Sequence, residues 1–171
     1  MRAVFQRVFS ASVEANGRPA GAIGKGFVLF LGIERGDGPE QIELLCGKAA
    51  GLRVFEDENG KMNRSALEIG GGALVIPNFT LCGDCRHGRR PDFTGAARPD
   101  DARPLFLRVA ETLRALGLAP VEQGVFGADM RVLVENDGPV TVLLDTRDWI
   151  RAGGNHLESD RRENGGTAGK G

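Results

Sequence analysis

Asn136-Asp137-Gly138-Pro139-Val140-Thr141 decides how the closing part of the chain folds. Two apolar runs flank it, residues 130–134 before and 140–144 after. Asn, Asp and Gly tolerate positive φ at little cost, so the segment predicts a hairpin turn between two strands. Pro139 is the odd residue. It has no N–H for a ladder and belongs at the first residue of a strand or on an edge. A Gly-Pro bond is also one of the few at which the cis form is accessible. At a hairpin tip, Gly138-Pro139 would present two carbonyls that no ladder bond consumes. Rigid, outward-facing carbonyls suit a gate for something small and chiral. The plain alternative is a turn with no ligand.

Outward from this segment, strand and helix signals alternate. Residues 3–13 form an extended run with Val4, Arg7, Val8 and Val13, and Asn16-Gly17 is a strong hairpin signal. The return arm is broken by Pro19 and glycines, then recovers at residues 27–33. That continuous apolar run predicts a strand buried on both faces. A helix follows. Asp37 and Glu40 have capping-box spacing, Pro39 sits in the first turn, and Ile42, Leu45, Ala49 and Leu52 share a face. Residues 54–56 predict a short strand that ends at the turn 57–60. Gly70, Gly71 and Gly72 lead into a second buried strand, residues 73–76, which runs into Pro77-Asn78-Phe79-Thr80-Leu81.

A long loop, residues 82–98, precedes a second helix over residues 100–116. Asp100 or Asp101 is its expected cap, with Pro104 in its first turn. Leu105, Val109, Leu113 and Leu116 make its core stripe, and Gly117 stops it. Residues 124–129 form a glycine-framed loop before the final hairpin. The order is two strands, then two strand-helix units, then closing strands, which predicts a mixed α/β domain over residues 1–147. Residues 148–171 are expected to be a disordered tail. From Arg151 on, Gly, Asn, Asp, Glu and Arg dominate and Leu157 is the only large aliphatic residue.

Composition narrows the function. The 171 residues carry a formal net charge of −1, which excludes a wholesale nucleic-acid coat but leaves room for a local basic patch. No apolar run approaches the roughly 20 residues that cross a bilayer. The N-terminus lacks the apolar core of a signal peptide and reads as a first strand. Three cysteines are too few and too odd in number for a disulfide scaffold, so a cytoplasmic protein is expected.

Among the motifs, Cys82-Gly83-Asp84-Cys85 with His87 has the look of half a zinc site or a redox pair. A fourth ligand is hard to find, because Cys46 lies on the inner side of a helix and His156 in the tail. Incidental loop cysteines, with no metal or cofactor, are the expectation. Arg86, Arg89 and Arg90 suit phosphate contacts or a solvated loop face. The phosphate-cradling G-x-x-x-x-G-K-[ST] and the G-x-S-x-G elbow are both absent. Thr80 is the best hydroxyl candidate but lacks a base to activate it. An enzyme built this way would draw on backbone amides and on its own substrate.

Taken together, these pieces resemble the D-aminoacyl-tRNA deacylases, the D-tyrosyl-tRNA(Tyr) deacylase family. The resemblance is carried by Asn136-Asp137-Gly138-Pro139-Val140-Thr141, Pro77-Asn78-Phe79-Thr80, and Gly124-Val125-Phe126-Gly127-Ala128-Asp129-Met130. Met1-Arg2-Ala3-Val4 with Gln6-Arg7-Val8, and Phe55-Glu56-Asp57 with Gly60-Lys61-Met62-Asn63, add to it, over about residues 1 to 147.

The resemblance implies a compact three-layer β/β/α fold and a homodimer with active sites at the interface. It implies hydrolysis of the ester joining a D-amino acid to the terminal adenosine of tRNA. Gly138-Pro139 would be cis and would reach into the partner's pocket, rejecting L-side chains while admitting D-amino acids and glycine. Arg7 would support that gate. Phe79 and Thr80 would offer N–H groups to the oxyanion. Pro77, Asn78, Phe126, Gly127 and Met130 would line the substrate pocket, with Phe126 and Met130 on the adenosine side. The RNA 2′-hydroxyl would assist the attacking water. Arg86, Arg89 and Arg90 would steer tRNA phosphates.

One departure stands out. The family's usual Ser-Gln-Phe-Thr is Pro77-Asn78-Phe79-Thr80 here. Relatives with Pro at this position accept a wider range of substrates, so a broader aminoacyl-tRNA deacylase is one alternative. A non-catalytic RNA-binding module on the same fold is another. A thiol or zinc protein built on Cys82 and Cys85 is a third.

Overall fold

The structure is a computed structural model and describes residues 1–151. Its axis is β1 (Arg2–Ala15). The Asn16-Gly17 turn, at φ 50° and 75°, sends the chain back through β2 (Arg18–Ile23) and β3 (Gly26–Gly32). This return arm covers one edge of β1 in two pieces. β3 pairs with its first half, from Arg2 opposite Gly32 to Val8 opposite Gly26. β2 pairs with its second half. Helix α1 (Pro39–Gly51) follows, then the small hairpin of β4 (Phe55–Glu56) and β5 (Met62–Arg64). β6 (Gly72–Pro77) lies parallel to β3. Helix α2 (Pro99–Ala115) leads to β7 (Val121–Gln123), parallel to β6. β8 (Met130–Asp145) covers the other edge of β1, and α3 (Thr146–Arg151) closes the described chain.

The six-stranded sheet curls until it is nearly closed, as a right-handed twist accumulated over many strands allows. β2 approaches β7 so closely that a Cβ at Gly21 would lie 3.1 Å from the Glu122 Cβ. Strand residues alternate between two cores, as the period of two requires. Phe5, Phe27, Leu29, Ala73 and Val75 meet Ile42, Leu45, Phe106, Val109 and Leu113 on the helix side. Val8, Val28, Leu74 and Ile76 point the other way, into the curl, with Val13 and Ile23. Two sheet layers and one helical layer result. Each large apolar side chain buried in them contributes about 1.5–3 kcal/mol.

Four local readings change. The segment 136–141 is no hairpin tip. Both flanking apolar runs pair with the same strand, Val132 opposite Val13 and Val142 opposite Phe5, so β8 is one long strand. The register jumps between Gln6 opposite Thr141 and Val8 opposite Asn136, and only Arg7 faces residues 137–140 across this bulge. Asp37 does not cap α1. The cap is Gly38, whose N–H donates to Gln41 Oε1 at 2.7 Å. The Asp37 carboxylate is occupied by the Met1 ammonium and the Glu34 N–H, both at 2.7 Å.

Helix α2 begins at Pro99, so Asp100 and Asp101 lie in its first turn, where they favour the dipole, and Pro104 falls one turn later. Its buried face turns toward Phe106, with Ala102 and Ala110, and leaves Leu116 exposed. Thr80 lies beyond the strand that leads to it, in a turn of its own. Pro77 donates nothing to the ladder, Asn78 N–H makes the last bond to Leu31 O at 2.8 Å, and a 3-10 turn spans Phe79–Cys82.

The chain ends of the domain interlock. Met1 is fully buried, its ammonium also donating to Thr146 Oγ1 at 2.7 Å, while Thr146 N–H donates to Met1 O at 3.0 Å. Residues 148–151 belong to α3, where Trp149 packs on the helix-side core under the Lys48 ammonium. The remainder of the expected tail, 152–171, lies outside the described residues. Among the described residues no helix is long and apolar enough to cross a membrane.

Candidate functional site

Arg7 sits in the middle of β1 and is 4% exposed. A buried guanidinium needs acceptors for its rigid fork. Nε donates to Asp137 O at 3.1 Å, Nη2 to Asp137 Oδ1 at 3.1 Å, and Nη1 to Val54 O at 2.5 Å. The fork therefore ties the bulge of β8 to the segment before β4. Gly138 and Pro139 stand exposed on this clamped bulge, and the bond between them is cis. Gly138 has φ 121°, and a Cβ there would lie 2.9 Å from Val140 Cγ2 and 3.2 Å from Arg7 Nη2. Only glycine fits this backbone.

The second segment follows β6. Leu81 O accepts from Arg2 Nη1 at 3.2 Å, and Gly32 packs beneath, where a Cβ would meet Cys82 Sγ at 3.0 Å. Phe79 and Thr80 are exposed, and among the described residues their N–H groups have no acceptor. They are the first amides of the 3-10 turn, which geometry leaves unserved. Thr80 Oγ1 donates to Asn78 Oδ1. No histidine or carboxylate hydrogen-bonds the hydroxyl among the described residues.

A third element joins the second. A Cβ on Gly124 would lie 2.7 Å from Met130 Sδ, 3.2 Å from Pro77 Cδ and 3.3 Å from Ile76 Cδ1. The absent side chain at Gly124 leaves the space that Met130, Pro77 and Ile76 crowd from three sides. Gly127, at φ 78°, is exposed in the same loop. Phe126 turns toward the helices, its ring 6.0 Å from that of Phe106. Pro77, Asn78, Phe79, Thr80 and Met130 thus share one neighbourhood. Within the described chain no hydrogen bond links them to Gly138-Pro139.

The loop 83–96 borders Phe79 through Phe93, the two rings edge to face at 5.3 Å. Arg86, Arg89 and Arg90 are exposed on it. The bond from Arg86 to Asp84 holds the Asp84 carboxyl down at about 2. The cysteines do not converge. Cys46 and Cys82 are buried and Cys85 is exposed. Burial pushes the Cys46 thiol up to about 12. It also lifts Cys82 to about 11, with Glu34 adding to the rise, so neither is a thiolate near neutrality.

Asp137 is the residue of this arrangement that the sequence does not single out. Its type fits turn chemistry, yet it supplies two of Arg7's acceptors. The signal was available in principle: an arginine inside an alternating buried strand demands a partner.

A family model described as D-Tyr-tRNA(Tyr) deacylase matches residues 4–145. A D-aminoacyl-tRNA deacylase of Thermomicrobium roseum is 54% identical over 153 residues, covering 90% of this chain and 98% of that one. One of Anaeromyxobacter dehalogenans is 52% identical over 147 residues, covering 86% and 98%. Among solved structures, a c-Myc DNA unwinding element binding protein superposes with TM-score 0.80 at 38% identity, covering 85% of this chain and 98% of that one. A probable eukaryotic D-amino acid tRNA deacylase shares the fold with TM-score 0.70 at 20% identity, covering 84% and 98%.

Proposed function

The chain belongs to the D-Tyr-tRNA(Tyr) deacylase family, and from that premise we propose how its residues perform the deacylation. The protein is a hydrolase that cleaves the ester of D-aminoacyl-tRNA to free D-amino acid and tRNA. Water adds to the ester carbonyl carbon, the bond from that carbon to the ribose oxygen breaks, and a proton passes to the ribose oxygen. The RNA 2′-hydroxyl assists the water. No side-chain nucleophile is needed, which agrees with a Thr80 hydroxyl that already donates to Asn78.

The N–H groups of Phe79 and Thr80 receive the developing oxyanion. A donor aimed at such an oxyanion typically contributes about 3–4 kcal/mol to the barrier. Pro77, Asn78, Gly127 and Met130 wall the pocket, and Phe126 and Met130 serve the adenosine side. Gly138-Pro139 rejects L-side chains from across a homodimer interface and leaves space for D-amino acids and glycine. The observation that carries this is the buried Arg7 fork holding an exposed, glycine-dependent bulge at Asp137. A site loop so fixed, with no bond to its own chain's pocket, suits a pocket in a second copy. Exposed Phe9, Leu133 and Leu143 on β1 and β8 supply apolar surface for that contact. Arg86, Arg89 and Arg90 steer tRNA phosphates, and a tRNA substrate puts the protein in the cytoplasm.

Deacylation of D-tyrosyl-, L-tyrosyl- and glycyl-tRNA, with chelator present, tests the reading. Rapid loss of the D-ester with the L-ester spared supports the gate. Loss of both enantiomers means that Pro77-Asn78 has opened the pocket to a broader range. Binding of tRNA with no turnover of any ester replaces the enzyme with a binding module. Sedimentation showing only monomer at assay concentration removes the cross-subunit gate.

A further inference from the structure

Asn78 immediately precedes the 3-10 turn Phe79–Cys82, where asparagine is among the best N-terminal caps. It makes no such bond. Leu81 N–H is already served by the Asn78 carbonyl at 3.3 Å, so the amide left for a side-chain cap is that of Thr80. The Asn78 Oδ1 accepts a hydrogen bond from the Thr80 hydroxyl instead. We propose that the Thr80 hydroxyl is a positioning group, which occupies the Asn78 carboxamide and so keeps the residue-80 N–H open for the oxyanion. The inference rests on the reading of that N–H as an oxyanion donor. It assigns the hydroxyl a role through Asn78, separate from the amide of the same residue.

The physical argument is a competition for one acceptor. A neutral hydroxyl and a backbone amide are both within local reach of a side chain at this position, and short polar side chains readily bond to either. Thr80 is exposed and Asn78 half-buried, and among the described residues the hydroxyl bond is the one hydrogen bond the carboxamide makes. Remove the hydroxyl and the freed Asn78 Oδ1 turns to the open Thr80 amide, becoming an internal competitor of the substrate oxyanion. The competitor acts when negative charge develops and leaves ground-state binding alone.

A double-mutant cycle over D-tyrosyl-tRNA turnover tests this. Thr80→Val keeps the branched shape and should lower kcat about tenfold, the factor an N-cap bond typically represents, with KM unchanged. Thr80→Ser keeps the hydroxyl and should stay within about twofold of wild type. In an Asn78→Ala background the same Thr80→Val change should alter kcat by less than about twofold. An equal loss in both backgrounds would mean that the hydroxyl touches the substrate directly, and no loss in either would remove it from the mechanism.

Amide hydrogen exchange followed by NMR reads the same switch without turnover. The residue-80 N–H should exchange about tenfold more slowly in Thr80→Val than in Asn78→Ala/Thr80→Val. Equal exchange rates overturn the proposal even with an active wild type. A wild type inert on every ester overturns the deacylase reading and leaves the exchange comparison to decide the Asn78–Thr80 coupling.

Discussion

Residues 136–140 and the loop 83–96 both carry candidate site groups, and they are held in opposite ways. The first is short, crossed by a buried guanidinium, and limited by Gly138 to a backbone that no other residue matches. The second is long; its end is tied to the exit of β3 by Arg35 N–H to Gly95 O at 3.1 Å, but the stretch that carries the arginines is supported by local means, an Asp84–Asp92 bridge, the Asp92–Thr94 turn bonds and the Asp84–Arg86 pair. A group that must tell one enantiomer from the other needs position fixed to within about 0.5 Å. A group that meets phosphate needs charge and reach, and exposed arginines supply these from the tip of a loop. The contrast in anchoring follows the contrast in the tasks proposed for them.

The largest way to break the comparison is Arg7→Ala. It leaves Val54 O, Asp137 O and the Asp137 carboxylate without their donor in a largely buried place. Denaturant unfolding should show a loss of about 3 kcal/mol, and the ratio of D- to L-ester turnover should collapse. A full D/L ratio in a folded Arg7→Ala protein would show that the bulge holds itself. Arg7→Lys keeps the charge without the fork and should fall between the two.

Gly138→Ala comes next. At φ 121°, with Val140 Cγ2 at 2.9 Å from the new Cβ, it should destabilise by about 1–3 kcal/mol and lower D-ester turnover by tenfold or more. Wild-type turnover in that variant would separate the gate from the backbone at Gly138.

Asp145 sharpens the comparison from the end of β8. Burial pulls its pKa up, but the Arg147 side chain and backbone N–H, with the Arg147 and Arg2 charges, outweigh this and hold it at about 2. The folded value lies below the ordinary value of about 3.9. The stabilisation is therefore complete above about pH 4 and is lost as pH falls through about 2. Asp145→Asn should remove that part of the acid limb of an unfolding curve and leave stability near neutrality lower by on the order of 1 kcal/mol after solvent screening. An unchanged acid limb would mean that the Arg2, Glu34 and Arg147 network holds without it.

The smallest effect on stability belongs to the loop. Arg89→Ala and Arg90→Ala should leave unfolding within about 0.5 kcal/mol of wild type. Each should flatten the salt dependence of tRNA binding by about one unit of slope. A loss of stability comparable to that of Arg7→Ala would erase the distinction between the two regions.

Much of this was legible along the chain. Residues 27–32 of the run 27–33 lie in a largely buried strand, residues 73–76 lie within another, and Ile42, Leu45 and Ala49 face the core as their spacing requires. Asn16-Gly17 makes its turn. The readings that changed share one cause: each depended on a partner distant in sequence. Asn136-Asp137-Gly138 has local turn chemistry, but β1 offers both flanking runs a common edge, and pairing with it over sixteen residues outweighs a local hairpin. Asp37 has cap spacing, but a buried ammonium is the stronger claimant on its carboxylate. Leu116 has helical spacing, but α2 turns its face toward Phe106.

The sequence by itself determined the alternation of buried strands and helices, the family, and the residue types from which a site is built. These follow from local periodicity and from motifs whose order survives along one chain. Only the tertiary structure decided that Asp137 answers Arg7 and that Met130 and Pro77 both crowd the bare Cα of Gly124. It also left the Phe79 and Thr80 amides open while Asn78 bonds a hydroxyl. Those are choices among acceptors and neighbours far apart in the chain, and they are settled by which pairings the folded sheet brings within a few ångströms.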